Sequence, residues 1–256
     1  MLLEVCNIRK TYPIEKNKTP LTVLEQVDFS VKEGEYVAIM GESGSGKTTL
    51  LNIIAGFDPP TSGTIRLDGK DLFTIKQAAL SAFRREHLGF VFQEFNLLNS
   101  FSAKDNIVLP LVLSDYPKEE METRLIPIAS QLGITEILDK YPSQLSGGQK
   151  QRVAVARALI TSPKLILADE PTGALDLHAT TQLLDLFDEI NKKGQTILLV
   201  THSVAAASHC QRVLFLHKGV VVELLPLPEE GRNGFHKRIA DTLTQLTLSG
   251  GDSDNE

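Results

Sequence analysis

The 256 residues, 42% hydrophobic and 23% charged, have an ordinary globular balance and are long enough for one large domain or two small ones. A formal net charge of −6 excludes a general attraction for nucleic acid, so any anion must be bound by a local site. No run approaches the roughly 20 apolar residues that cross a bilayer, and Met1-Leu2-Leu3-Glu4 lacks the regions of a signal peptide. From the N-terminus, short β-like runs at Leu2 to Ile8, Leu21 to Val31, Tyr36 to Met40 and Thr64 to Leu67 alternate with turn signals such as Lys32-Glu33-Gly34 and Asp68-Gly69. They predict antiparallel hairpins around a first buried strand, Tyr36 to Met40. That strand runs into a glycine-rich loop, and a helix is expected over Thr49 to Ile54.

Between about Phe101 and Tyr141 the apolar spacing becomes helical, with Met121, Leu125, Ile128 and Leu132 on one face, which predicts a helical subdomain. Pro127 conflicts with that pattern and should kink or end a helix. A helix over Gln149 to Ile160, a buried strand over Leu165 to Ala168, a helix over Thr180 to Asn191 and a strand over Thr196 to Val200 follow. Their alternation argues for a parallel α/β sheet. From about Pro226 the composition changes: Phe235, Ile239, Leu243 and Leu246 predict one amphipathic helix, then an acidic disordered tail after Gly250-Gly251. Cys6 and Cys210 have neither Cys-x-x-Cys nor metal-ligand spacing and read as small hydrophobes in a reducing cytoplasm.

The loop Gly41-Glu42-Ser43-Gly44-Ser45-Gly46-Lys47-Thr48 fits G-x-x-x-x-G-K-[ST] in its required setting, after a strand and opening a helix. In such a loop backbone N–H groups curl around phosphates, Lys47 reaches the β- and γ-phosphates, and the Thr48 hydroxyl binds Mg²⁺. A purely structural glycine turn is the bland alternative, and the flanking strand and helix oppose it. Leu165-Ile166-Leu167-Ala168 ends in Asp169-Glu170, where one acid can hold Mg²⁺ and the next can orient or deprotonate water. Taken alone, that strand end favours a structural role, because apolar strands ending in acids are common. Ser146-Gly147-Gly148 at a helix start makes a second backbone anion site, which one chain needs only if two chains share nucleotides.

Leu145-Ser146-Gly147-Gly148-Gln149 resembles the signature of ABC ATPases. Gln93 after an apolar strand, Ala174-Leu175-Asp176 beyond Glu170, and His202 after Thr196 to Val200 are similar to that family too. The resemblance covers roughly residues 2–223. It implies an α/β P-loop NTPase with a parallel-sheet core, an N-terminal antiparallel β subdomain and an inserted α-helical subdomain at about 94–160. The ATP-binding domain would span 1–225 and a C-terminal extension 226–256. The resemblance further implies that Gly41 to Thr49 bind ATP and Mg²⁺, that Asp169 and Gln93 complete the metal and water environment, and that Glu170 is the general base or water polariser. Tyr12 would stack on adenine, His202 would contact the γ-phosphate, and Asp176 would join the nucleotide site or serve only as a helix N-cap. Ser146, Gly147, Gly148 and Gln149 would close over ATP held by a second copy in a head-to-tail dimer. Ser203 departs from the family's usual aspartate, which should alter local hydrogen bonding and leave activity intact.

Phe83-Arg84-Arg85, Leu88 to Gln93, Phe95-Asn96-Leu97-Leu98 and Asn106 to Leu111 resemble the branch of lipoprotein-releasing, macrolide-export and cell-division ATPases. Within it, Glu170 to Asp176, Ile137 to Pro142 and Ala205 to Phe215 are most similar to bacitracin-efflux ATPases. That implies a peripheral ATPase on the cytoplasmic face of the cell membrane, a separate permease, and through the permease a sensor kinase. A regulatory ATPase of the cell-division type that moves no solute is the alternative. A DNA-repair or translation ATPase fits poorly with one nucleotide domain and an acidic balance. A GTPase reading fails because Asn191-Lys192-Lys193-Gly194 lacks the aspartate of a guanine-reading motif.

Overall fold

The computed structural model describes residues 1–13, 20–226 and 231–250. Two compact units emerge, the first from residues 1–75 and 198–256, the second from residues 76–197.

In the first unit β1 (Leu3–Tyr12) pairs antiparallel with both β2 (Leu21–Val31) and β4 (Ser62–Leu67), and β5 (Lys70–Asp71) completes a hairpin with β4. β3 (Tyr36–Met40), buried at every position, lies parallel to β9 (Arg212–His217), and β9 turns back antiparallel into β10 (Val220–Pro226). An all-buried strand of Tyr, Val, Ala, Ile and Met is what a parallel sheet covered on both faces requires. Here the sequence reading and the fold agree, from hairpins to buried strand.

Cys6 is a correction. The register of β1 shifts between Val5 and Ile8, and Asn7 adopts φ 49°, so Cys6 is exposed while Cys210 is buried. A bulge of this kind breaks the in-out alternation that would have hidden the first thiol.

After β3 comes α1 (Lys47–Ile54). β8 (Thr196–Val200) brings the chain back from the second unit, α7 (Val204–Ala207) follows, and α8 (Gly231–Gly250) packs against α7. Phe235 and Ile239 on α8 are fully buried, each contributing about 1.5–3 kcal/mol. The acidic end after Gly250 and most of the polar loop after Pro13 lie outside the described residues.

The second unit contains α2 (Gln77–His87), β6 (Leu88–Phe92), α3 (Ala103–Val112), α4 (Lys118–Gln131), α5 (Gly147–Leu159), β7 (Leu165–Asp169) and α6 (Leu177–Lys192). β6 and β7 are parallel, α5 packs on β6, and α3, α4 and α6 each contact α5. α4 does not end at Pro127, contrary to expectation. Burial of Leu125, Ala129 and Leu132 on either side offsets the roughly 3 kcal/mol cost of an interior proline. The helix ends instead at Gln131, just before Gly133, whose φ of 63° lets Ile134 N–H reach the Ala129 carbonyl at 2.9 Å.

Candidate functional site

The first unit holds the phosphate loop. Gly41 could carry no side chain, because a Cβ there would lie 2.2 Å from the Leu216 carbonyl oxygen. Gly46, at φ 103°, takes a left-handed conformation and starts α1 with no side-chain cap. No acid lies in the first turn of α1 to oppose its positive end. Lys47 Nζ donates to the carbonyls of Gly41 (2.9 Å) and Glu42 (2.7 Å), so the cation is held over the loop. Ser45 Oγ is buried without a hydrogen-bond partner among the described residues, an unsatisfied hydroxyl inside the glycine-rich loop. The exposed Glu42 and Ser43 form the outer part of the loop, with Gly44 at φ 82°.

Tyr12 ends β1 in the same unit and is about a third exposed (36%). Its phenol donates to Asp58 Oδ2 at 2.6 Å and also bonds Thr49. Asp58 in turn is ion-paired with Lys10, which donates to the Pro59 carbonyl at 2.7 Å and lies 4.7 Å from the Tyr12 ring centroid. The Asp58 hydrogen bond, with some burial, raises the Tyr12 phenol above its ordinary value. Burial works against the Asp58 carboxylate, but hydrogen bonds from Lys10 and Tyr12 outweigh it and hold its pKa low. Sequence reading missed Lys10 and Asp58. The only local signal, an acid before Pro59-Pro60, reads as a turn. His202 lies exposed just after β8, and Ser203 accepts from Ala206 N–H at 3.2 Å as the N-cap of α7. Serine thus supplies the cap that an aspartate would.

The second unit assembles the other candidates. The parallel register of β6 and β7 sets Phe92 opposite Asp169, so Gln93 and Glu170 follow at neighbouring strand ends, where open parallel sheets bind ligands. Glu170 adopts φ 46°, a strained conformation for a non-glycine residue and one that clusters at functional sites. The chain then turns, with Gly173 N–H bonding the Glu170 carbonyl at 3.0 Å. A Cβ at Gly173 would meet the Gln93 side chain at 2.9 Å, so the missing side chain makes room for that amide.

Ser146 and Gln149 form a capping box at the start of α5. Ser146 Oγ accepts from Gln149 N–H (3.3 Å) and Gln149 Oε1 accepts from Ser146 N–H (3.0 Å). Gly147 and Gly148 occupy the first two positions of the helix, so no side chain projects there beside the capping pair. Asp176 accepts from Ala179 N–H at 2.8 Å, so it caps α6. Lys47, Thr48, Tyr12 and His202 therefore belong to the first unit, and Gln93, Ser146, Asp169, Glu170 and Asp176 to the second.

The family model for ABC transporters matches residues 24–173, more than half of the chain. The chain belongs to the ABC transporter family. The bacitracin export ATP-binding protein BceA of Halalkalibacterium halodurans is 44% identical, with 99% of each chain covered. The ABC transporter ATP-binding protein YxdL of Bacillus subtilis is 46% identical over 96% of this chain and 94% of that one. Among solved structures, the dimeric post-hydrolysis state of the ATP-binding cassette MJ0796 bound to ADP and Pi superposes with a TM-score of 0.80. It is 37% identical, and the match covers 88% of this chain and 99% of that one. The fold is that of an ABC ATPase, and the chain is the ATP-binding, ATP-hydrolysing subunit of an ABC transporter. No helix among the described residues is long and apolar enough to cross a membrane.

Proposed function

We propose that this ABC ATPase drives a separate membrane permease in resistance to bacitracin- or lantibiotic-type peptides, by export or by release of the peptide from its target. The observation that carries this reading is the end-to-end match to the bacitracin export ATP-binding protein, whose coverage extends through α8. The chain would sit peripherally at the cytoplasmic face of the membrane, held by the permease and through it linked to a sensor kinase.

In the proposed reaction, the loop amides and Lys47 bind the β- and γ-phosphates of ATP, and Tyr12 stacks on adenine. Water attacks the γ-phosphorus, the bond to the β-phosphate bridging oxygen breaks, and ADP and phosphate leave. Glu170 polarises that water or accepts its proton, and His202 steadies the γ-phosphate. Thr48 hydroxyl, Asp169 carboxylate and Gln93 amide oxygen are all hard oxygen donors, the set that suits Mg²⁺. When bound, Mg²⁺ would neutralise charge on the phosphate oxygens. Ser146 to Gln149 would present the N-terminus of α5 to ATP held by a second copy, and Asp176 would lie along that dimer surface. The dimeric assembly of the MJ0796 cassette supports this arrangement.

The test is reconstitution with the co-encoded membrane protein in lipid. ATP turnover should rise when bacitracin-like or lantibiotic peptides are added, with and without lipid-linked cell-wall precursors distinguishing export from target release. Turnover indifferent to every such peptide would overturn the peptide assignment and favour the cell-division-like alternative.

A further inference from the structure

α5 begins with the signature motif, and its third polar residue, Gln151, is fully buried on the side of the helix that faces the sheet. Gln151 Nε2 donates to the Pro171 carbonyl at 2.8 Å and lies 3.4 Å from the Phe92 carbonyl. Phe92 is the residue before Gln93, and Pro171 is the residue after Glu170. One side-chain amide therefore bridges the backbones of the two loops that carry the candidate water-handling groups. Its Oε1 is buried without a partner among the described residues, which costs about 1–3 kcal/mol. A methionine of the same length would fill the space without that cost, so packing alone does not account for an amide here.

The same helix grips the Gln93 loop a second time. Arg157 Nη atoms donate to the carbonyls of Phe95 (2.8 Å) and Asn96 (2.6 Å). Those two residues take left-handed φ values of 61° and 47°, a sharp turn that the guanidinium holds from below. Arg152, on the other side, donates to the Leu132 carbonyl at 3.0 Å and to Gln182 Oε1 at 2.8 Å. α5 thus connects the signature to both loops through side-chain to backbone bonds, all within the second unit.

We propose that Gln151 is a positioning residue for hydrolysis: its amide clamps the Gln93 and Glu170 loops to α5, so that engagement of the signature helix sets both loops in their working geometry. The inference rests on the proposed roles of Gln93 and Glu170. Gln151 is fully buried and bonded to backbone carbonyls, so its effect would pass through the two loops. A misplacement of about 1 Å at a reacting group can lower a rate by about a hundredfold, so a clamp one residue from each group has leverage without contact.

The test compares Gln151→Met with the wild-type chain, alone and in the Glu170→Gln background. Gln151→Met should lower kcat about tenfold or more, leave the Kd for ATP unchanged, and still give an ATP-trapped dimer when combined with Glu170→Gln. Arg157→Lys, which replaces the fork by a single point donor, should lower kcat in the same direction by a smaller factor. Wild-type kcat in Gln151→Met would overturn the clamp. So would loss of ATP binding and dimer trapping together with turnover, since that pattern means general disruption of packing. Wild-type turnover in Glu170→Gln alone would instead refute the role of Glu170 on which the inference stands.

Discussion

Phe92 and Asp169 are the last register pair of β6 and β7, and this single pairing sets Gln93 and Glu170 side by side at the ends of two parallel strands. A slip of one residue in either strand would send one of them to the opposite face. The apolar residues before them, Leu165 to Ala168, are buried throughout and hold the register. A charge placed in that strand, as in Leu167→Asp, should prevent folding of the second unit, whereas Leu167→Val should cost about 1 kcal/mol. Chemical denaturation of the two variants checks the contrast.

Tyr12 is held by Asp58, and Asp58 by Lys10. If the ring stacks on adenine, Tyr12→Ala should weaken ATP binding by about tenfold, the range of one aromatic stacking contact. Binding of inorganic tripolyphosphate should be unchanged. Titration calorimetry with the two ligands separates base from phosphate recognition.

The Tyr12 phenol is raised chiefly by its hydrogen bond to Asp58, then by burial. A raised folded-state pKa means that its contribution to stability is complete below the unfolded value of about 10 and is lost as pH rises through the folded value. Asp58→Asn removes the carboxylate and should return the phenol toward the ordinary range. With no tryptophan and only four tyrosines in the chain, tyrosinate absorbance reads this directly.

Glu35 and Arg212 form a two-pronged ion pair across the first unit, with Arg212 also bonding the Ser30 carbonyl. Burial opposes the Glu35 charge, but the Arg212 and Lys32 hydrogen bonds and charges prevail and hold its pKa low. A depressed folded pKa gives stability that is present above the unfolded value of about 4.3 and fades as pH falls through the folded one. Thermal melts of the wild type should therefore lose stability below about pH 4, and Glu35→Gln should flatten that acid limb.

Asn106 is fully buried, and its amide accepts from Leu98 N–H and donates to the carbonyls of Leu98, Phe101 and Ser102 at 2.9–3.2 Å. It fixes the loop that leads from Gln93 into α3. Asn106→Leu strands these groups and should destabilise by about 2–4 kcal/mol, seen as a lower denaturation midpoint.

The local structure of the glycine loop and of the signature run was legible because each is a short contiguous pattern. Gly41 to Thr48 and Ser146 to Gln149 carry their own strand and helix context. β3 and β8 were legible to the residue because each is a bounded apolar run, and β2 because Pro20 and the Lys32-Glu33-Gly34 turn bound it. What was not legible depends on pairs distant in sequence. Asp58 is 46 residues from Tyr12, and Gln151 is 59 from Phe92. Gln151 looks like one more polar residue in a polar run, and only the packing of α5 on β6 reveals that it points inward. Pro127 misled for the opposite reason: local propensity argued for a break, and buried neighbours overrode it.

Glu170→Gln tests the account most directly. Measured by phosphate release and by size-exclusion chromatography with ATP and Mg²⁺, the variant should bind ATP, accumulate as a dimer and release no phosphate above background. Steady-state hydrolysis at the wild-type rate by Glu170→Gln would contradict the account.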